Sequence, residues 1–125
     1  MRRPWVVLAL SLGLLAGCGG HERHPTRTVT LGAGRPLQVS AREYYFDPGK
    51  VVVAGPGELN LTLSNKGSLA HDIRITRAGK DIGGTPAFNG GRRTARVTLA
   101  KGSYRFLCTV GDHAELGMVG TIEVR

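Results

Sequence analysis

The feature that most constrains the fold is a strict alternation of apolar and polar residues over positions 58–64. Leucines occupy every second position of the run ELNLTLS, and polar residues fill the others. Successive side chains of a β-strand point to opposite faces, so this period of two indicates a strand with one buried face. No segment after Leu37 shows a convincing helical period. The chain is therefore predicted to be all-β.

Other short runs of strand type are separated by turns that contain Gly, Pro, Asn or Lys-Gly. The predicted strands are 37–41, 50–53, 58–64, 70–76, 95–99, 103–108 and 119–124. Residues 77–94 are Gly-rich and are predicted to form a long connection. About seven short strands in one domain favour a β-sandwich with Greek-key connections.

The first 17 residues have the three parts of a secretory signal. Arg2 and Arg3 precede an apolar run over 5–15, and small residues follow it. The run is shorter than the roughly 20 residues that span a bilayer. The sequence LAGC, which ends at Cys18, resembles the bacterial lipobox. This resemblance implies cleavage before Cys18 and a diacylglyceryl group on its sulfur, and two acyl chains are enough for stable anchoring.

Residues 18–36 mix glycines, prolines and charged residues, which predicts a flexible tether between the lipid and the domain. Its two histidines, His21 and His24, are interpreted as solvated linker residues. The folded domain is predicted to span 37–125. A lipid anchor and a secretory signal together place it outside the cytoplasm, attached to a bacterial membrane.

The formal net charge is +8, and loss of Arg2 and Arg3 with the signal leaves +6 on the mature chain. A positive surplus favours acidic partners or anionic lipid headgroups. The densest basic group, Arg92, Arg93 and Arg96, has no aromatic residue between its members. It is interpreted as a solvated face, and nucleic acid binding is not expected.

The run CTVGDHAELGM carries three types of metal ligand with the spacing C-x4-H-x4-M: Cys108, His113 and Met118. Lipidation would consume Cys18, so Cys108 has no intramolecular disulfide partner in an oxidising compartment. A thiolate, an imidazole and a thioether suit copper that cycles between its two oxidation states. Two histidines, one cysteine and a distant axial methionine form the blue copper arrangement. His71 is the candidate for the second imidazole.

Strand parity provides an independent check on this set, because alternate side chains share a face. His71 has the parity of Ile73 and Ile75, opposite Asp72. Two further candidates follow the same rule. Cys108 has the parity of Tyr104 and Phe106, and Met118 that of Ile122 and Val124. Three candidates therefore fall on core faces at one end of their strands, and His113 lies on the loop between the last two strands.

With these residues in view, the chain resembles the cupredoxins, the small blue copper proteins, from Val39 to Val124. The loop spacing is similar to that of the longer-loop, rusticyanin-like members. The run EYYFDP at 43–48 resembles the family's aromatic-Pro element, and GMVGT at 117–121 resembles its closing strand.

The resemblance implies that His71, Cys108, His113 and Met118 hold one copper ion. Many family members have an asparagine after the first histidine that ties the two ligand loops together. This chain has Asp72 there, which makes Asp72 a candidate supporting residue.

These observations favour a monomeric electron carrier, tethered to the membrane, that passes electrons between redox proteins of the cell envelope. Catalysis is not expected. A dinuclear copper centre needs two cysteines on this loop, which has only Cys108. The trinuclear cluster of a multicopper oxidase needs His-x-His pairs, which the sequence lacks. The alternative is a copper carrier or delivery protein. The scarcity of methionine, at Met1 and Met118 alone, favours electron transfer. A third possibility is a cupredoxin-like module used only for binding. It would require that the copper ligands be lost, and none of the four is lost here.

A docking surface is predicted around His113, the candidate ligand nearest solvent. Ala114 and Leu116 flank it on the loop, and Leu69 precedes His71 at the same end of the sandwich. Together they would form a modest apolar patch of the kind that marks a transient interface. The other interpretation is that Leu116 packs under the loop.

Overall fold

The computed structural model describes residues 24–125. The predicted signal over 1–17, Cys18 and His21 lie outside these residues. Within residues 24–125 every regular secondary-structure element is a strand, and no helix is long and apolar enough to cross a bilayer. The strands are β1 Thr28–Leu31, β2 Leu37–Arg42, β3 Tyr45–Asp47, β4 Lys50–Val53, β5 Gly57–Asn65, β6 Arg74–Arg77, β7 Lys80–Gly84, β8 Gly91–Leu99, β9 Gly102–Leu107 and β10 Val119–Val124.

The strands form two sheets. One has six strands in the order β1-β4-β10-β9-β6-β7, and the other has four in the order β3-β2-β5-β8. Strand β4 pairs in parallel with both β1 and β10, and β2 pairs in parallel with β5, while the remaining pairs are antiparallel. The prediction of an all-β sandwich is confirmed, although residues 24–125 contain ten strands and not about seven.

The alternating sequence pattern produces the core. In β5 the side chains of Leu59, Leu61 and Leu63 are all buried, and Glu58 and Asn60 between them are exposed. Strands of the facing sheet contribute the opposite layer of the core. It includes Val51, Ile75, Tyr104, Phe106, Ile122 and Val124.

Three short strands escaped the sequence prediction. Strand β1 lies inside the segment assigned to the tether, so the ordered chain begins before Leu37. It is held by its parallel pairing with β4, and Val29 and Leu31 pack against the core. His24, interpreted as a solvated linker residue, is exposed and stacks on the Tyr45 ring with centroids 4.0 Å apart.

The other two, β3 and β7, are short and lie where the alternation is weak. Strand β7 falls in the Gly-rich stretch predicted to be a connection, and it pairs with β6 through an irregular register. The predicted strand over 70–76 is also shorter than expected. Strand β6 begins at Arg74, and His71 makes only an isolated bridge with Phe88.

The topology brings three chain segments to one end of the sandwich. Strand β9 ends directly before Cys108, and β10 begins directly after Met118. Strand β6 pairs antiparallel with β9, with Arg74 opposite Leu107, so the His71 segment reaches the same end. We call this the ligand end, formed by the loops 66–73 and 108–118, and the opposite end the far end.

Candidate metal centre

Three of the predicted ligands converge at the ligand end. One donor atom each from His71, Cys108 and His113 lies within 4.8 Å of the other two. The Cys108 Sγ atom is 3.9 Å from Nδ1 of His71 and 3.5 Å from Nδ1 of His113. The two imidazole rings are tilted, with centroids 5.0 Å apart. Two imidazole nitrogens therefore face one sulfur atom across a space that suits a metal ion.

The loop over 108–118 is a compact turn that fixes its own donors. Cys108 N–H donates to the Met118 carbonyl at 3.1 Å, and Met118 N–H donates to the His113 carbonyl at 3.0 Å. Gly117 turns the chain with φ of 109°, a conformation that side chains disfavour. Met118 itself is fully buried. Backbone hydrogen bonds thus join the predicted Cys, His and Met ligands in one closed unit.

The His71 segment is held from the neighbouring strands. His71 exchanges two backbone hydrogen bonds with Phe88, at 3.2 and 3.0 Å. The buried Asn65 side chain donates to the carbonyls of Leu69 and Phe88 at 2.9 and 2.8 Å, and accepts from Gly67 N–H at 3.0 Å. One amide therefore satisfies three backbone groups around His71.

Asp72, the predicted supporting residue, connects the two ligand loops. One of its carboxylate oxygens accepts from Thr109 N–H at 2.6 Å, and the other accepts from the Thr109 hydroxyl. Strand parity placed Asp72 opposite the core, yet it is buried. Parity fails because the regular strand starts only at Arg74, so the chain at 72 is free to turn sideways toward Thr109.

Glu43, the first residue of the run EYYFDP, was not predicted as a site residue, yet it contacts the His71 ring on the side away from Cys108. Its Oε1 atom lies 3.0 Å from Nε2 of His71 and accepts from Leu69 N–H at 2.9 Å. The hydrogen bond from Leu69 is the largest reason why the pKa of Glu43 falls from 4.5 to about 2. No local pattern could have found this residue, because 28 positions separate it from His71.

The electrostatic state of Cys108 is set by its burial. Burial raises the pKa of the thiol, with smaller opposing contributions from backbone hydrogen bonds. Without a cation the sulfur is therefore a neutral thiol, and a coordinating metal would deprotonate it. Among the described residues every buried side-chain nitrogen and oxygen atom has a hydrogen-bond partner. The site is a buried, soft donor set supported by a polar network whose hydrogen bonds are satisfied.

The residues predicted to form a docking patch lie at the surface. Leu69 and Leu116 are 42% and 39% exposed, so Leu116 is not packed beneath the loop, and Ala114 is half-buried. His113 is 6% exposed, whereas His71, Cys108 and Met118 are each 0% exposed. Of the four predicted ligands, His113 is thus the one that reaches solvent.

The fold is similar to that of several solved structures. It matches reduced auracyanin from the photosynthetic bacterium Roseiflexus castenholzii with a TM-score of 0.67 and 22% identity, over 72% of this chain and 96% of that one. Rusticyanin from Thiobacillus ferrooxidans gives 0.66 and 20%, over 82% and 85% of the two chains. Auracyanin A from Chloroflexus aurantiacus, described as a "blue" copper protein, gives 0.63 and 18%, over 79% and 100%.

No family model and no curated protein matches the sequence. At these identities the structural likeness establishes the fold, a cupredoxin-like sandwich, and leaves the chemistry to the residues of this chain.

Proposed function

We propose that this chain is a type 1 (blue) copper protein that carries electrons outside the cytoplasm. The observation that carries the proposal is the buried cluster of His71, Cys108 and His113, two imidazoles facing one thiol. Met118, buried on the same loop, would supply a thioether as a further, weak ligand. The structurally similar cupredoxins, one of them described as a "blue" copper protein, support the same assignment.

Each residue has a role that follows from its chemistry. Cys108 supplies a soft thiolate, and the neutral imidazoles of His71 and His113 serve either oxidation state. Copper held here would exchange one electron between Cu(I) and Cu(II). The loop hydrogen bonds, Asn65 and Asp72 hold the donors in place. Donors held in this way would move little on a change of oxidation state, which would favour fast electron transfer.

Electron transfer is favoured over copper delivery by the burial of the donors. A delivery protein must exchange ligands with its partner, which requires accessible donor atoms. Three of the four proposed ligands have no exposed surface, and His113 is only 6% exposed. The small exposed part of His113 suits the passage of an electron to a partner docked on Leu69, Ala114 and Leu116.

The test is visible absorption of the copper-loaded protein. The wild type should show an intense blue band from its Cys–Cu(II) bond, and Cys108→Ser should abolish it because the charge-transfer donor is lost. A blue band that persists in Cys108→Ser would refute the assignment. A wild type that binds copper without a blue band would favour the copper carrier.

Met118 is proposed to tune the potential without being required for binding. Axial thioether bonds are long and weak, so Met118→Leu should retain copper. The potential should rise, because a donor that still helps the oxidised ion is removed. Voltammetry and a copper titration measure the two effects, and complete loss of copper would show that Met118 is a primary ligand.

The protein is further proposed to be a monomeric lipoprotein that serves redox proteins of the cell envelope. The support is the lipobox-like sequence ending at Cys18 and the secretory signal before it. In a suitable bacterium the wild type should fractionate with membranes, and Cys18→Ser should be released. Equal distribution of the two proteins between membrane and soluble fractions would refute the lipid anchor at Cys18.

A further inference from the structure

Behind His71, on the side away from Cys108, a carboxylate is held between the end of β2 and the loop over 66–73. Glu43 follows the end of β2, and its Oε1 atom accepts from Leu69 N–H at 2.9 Å and contacts Nε2 of His71 at 3.0 Å. The His71 side chain is 0% exposed and that of Glu43 is 27% exposed. A partly buried carboxylate thus lies against the ring atom that faces away from Cys108.

The loop at Gly67 makes room for this carboxylate. A Cβ atom on Gly67 would overlap the Glu43 carboxylate group, so a side chain at 67 would displace it. Gly67 is itself fixed by its hydrogen bond to Asn65. The same buried amide that holds the His71 segment therefore also shapes the space for Glu43.

We infer that Glu43 is a positioning residue of the copper site, which fixes the tautomer of His71 and stabilises the oxidised ion. An ionised carboxylate only accepts hydrogen bonds, so Nε2 of His71 must carry the proton. Nδ1, which faces Cys108, is then left with its lone pair free for the metal. The copper part of this inference rests on the proposed function, whereas the tautomer does not.

The charge on Glu43 has a second consequence. A carboxylate hydrogen-bonded to a ligating imidazole raises the basicity of the ring. The interaction is strong because the ring is buried and the local dielectric is low. A more basic donor and a nearby negative charge both favour Cu(II) over Cu(I), so Glu43 lowers the potential. Asp72 acts differently, since its oxygens bond to Thr109.

Glu43→Gln is the decisive variant, because the amide oxygen still accepts from Leu69 and His71 while the charge is removed. We expect roughly a tenfold loss of Cu(II) affinity relative to Cu(I), in line with other outer-shell partners. For a one-electron couple this is a rise in potential of about 59 mV. Glu115→Gln is the matched control, since it removes the same charge from an exposed position on the ligand loop.

A potential in Glu43→Gln that equals that of the wild type, or that shifts no more than in Glu115→Gln, would overturn the inference. Glu43→Asp should restore the wild-type potential only slightly, because the shorter side chain keeps the charge but does not reach Nε2 of His71.

A second measurement needs no copper. Nitrogen NMR of the metal-free wild type at a pH where His71 is neutral should show the proton on Nε2 and a bare Nδ1. A proton on Nδ1 would overturn the inference and leave the proposed function standing. Absence of a blue band in the copper-loaded wild type, with the proton on Nε2, would instead refute the proposed function and retain the role of Glu43 in fixing the ring.

Discussion

The two ends of the sandwich both bury polar side chains, but they use them for different purposes. At the far end the Tyr104 hydroxyl accepts from Ala100 N–H at 2.8 Å and donates to the Ala100 carbonyl at 3.1 Å. Arg77 donates to this hydroxyl at 3.0 Å and to the Lys101 carbonyl at 3.1 Å. These hydrogen bonds tie the turn between β8 and β9 to Arg77 at the end of β6.

At the ligand end the polar side chains are attached to the segments that present donor atoms. Asn65 holds the chain around His71, Asp72 fastens that chain to Thr109, and Glu43 contacts the His71 ring. The far end therefore shows what such bonds contribute to stability alone. Any additional effect of the ligand-end bonds on the spectrum or the potential measures their contribution to the site.

The largest effect on stability is expected for Asn65→Ala. This change removes three hydrogen bonds at once, although the Phe88 carbonyl keeps its bond from His71 N–H. A typical intramolecular hydrogen bond contributes about 0.5–1.5 kcal/mol net. We expect a loss of about 3 kcal/mol in the metal-free protein, measured by denaturant unfolding, together with weaker copper binding. An unchanged copper affinity would show that the His71 segment is held without Asn65.

Asp72→Ala should have an intermediate effect. It removes both acceptors from Thr109 and frees the ligand loop from the His71 segment, at a cost of about 1–3 kcal/mol. Absorption and EPR spectra of the copper-loaded variant should broaden, because the donors are less firmly held. Asp72→Asn should restore much of the stability, since its oxygen can accept from Thr109 N–H and its amide can donate to the hydroxyl oxygen. Equally sharp spectra in wild type and Asp72→Ala would contradict the proposed link.

Tyr104→Phe is the far-end counterpart, with a smaller effect. Loss of the hydroxyl removes the hydrogen bonds to Ala100 and Arg77 but leaves the ring in the core, so we expect a cost of about 1 kcal/mol. The blue band and the potential should not change. A shifted potential in this variant would contradict the distinction between the two ends, because it would show that the far end also affects the potential of the copper site.

Leu116→Lys should have the smallest effect on stability, within about 0.5 kcal/mol, because the side chain is exposed. Electron exchange with a redox partner should slow several-fold, while the spectrum and the potential stay nearly unchanged. Ile82→Lys is the matched control, since Ile82 is also 39% exposed but lies on β7. Equal rates of electron exchange in the two variants would show that partners dock elsewhere. The face of Arg92, Arg93 and Arg96 would then be tested next.

The parts of the molecule that the sequence predicted are those governed by local periodicity. Alternating leucines indicated β5, and the same parity argument brought His71, Cys108 and Met118 to one end of the core, where the structure places them. Residues with short or irregular surroundings were not predictable in this way. Strand β7 is rich in glycine, and β1 is defined by its pairing with β4 more than by its own four residues.

The supporting residues were the hardest to anticipate, because their partners are distant in sequence. Glu43 and Asp72 act across 28 and 37 positions. Glu43 opens the run EYYFDP and Asp72 follows His71, but neither position reveals the partner of its carboxylate. Asp72 was recognised only through resemblance, and parity assigned its side chain to the wrong face. Polar networks of this kind depend on which loops meet, so they become visible only once the topology is known.

The proposed function requires that the buried donors hold one copper that changes oxidation state in place. A redox titration of the copper-loaded wild type, followed by absorption and by metal analysis after each cycle, tests it most directly. We expect reversible uptake and release of one electron per chain, with the blue band bleached and fully recovered and the copper retained. Release of copper into solution on reduction would contradict it and identify the chain as a copper carrier.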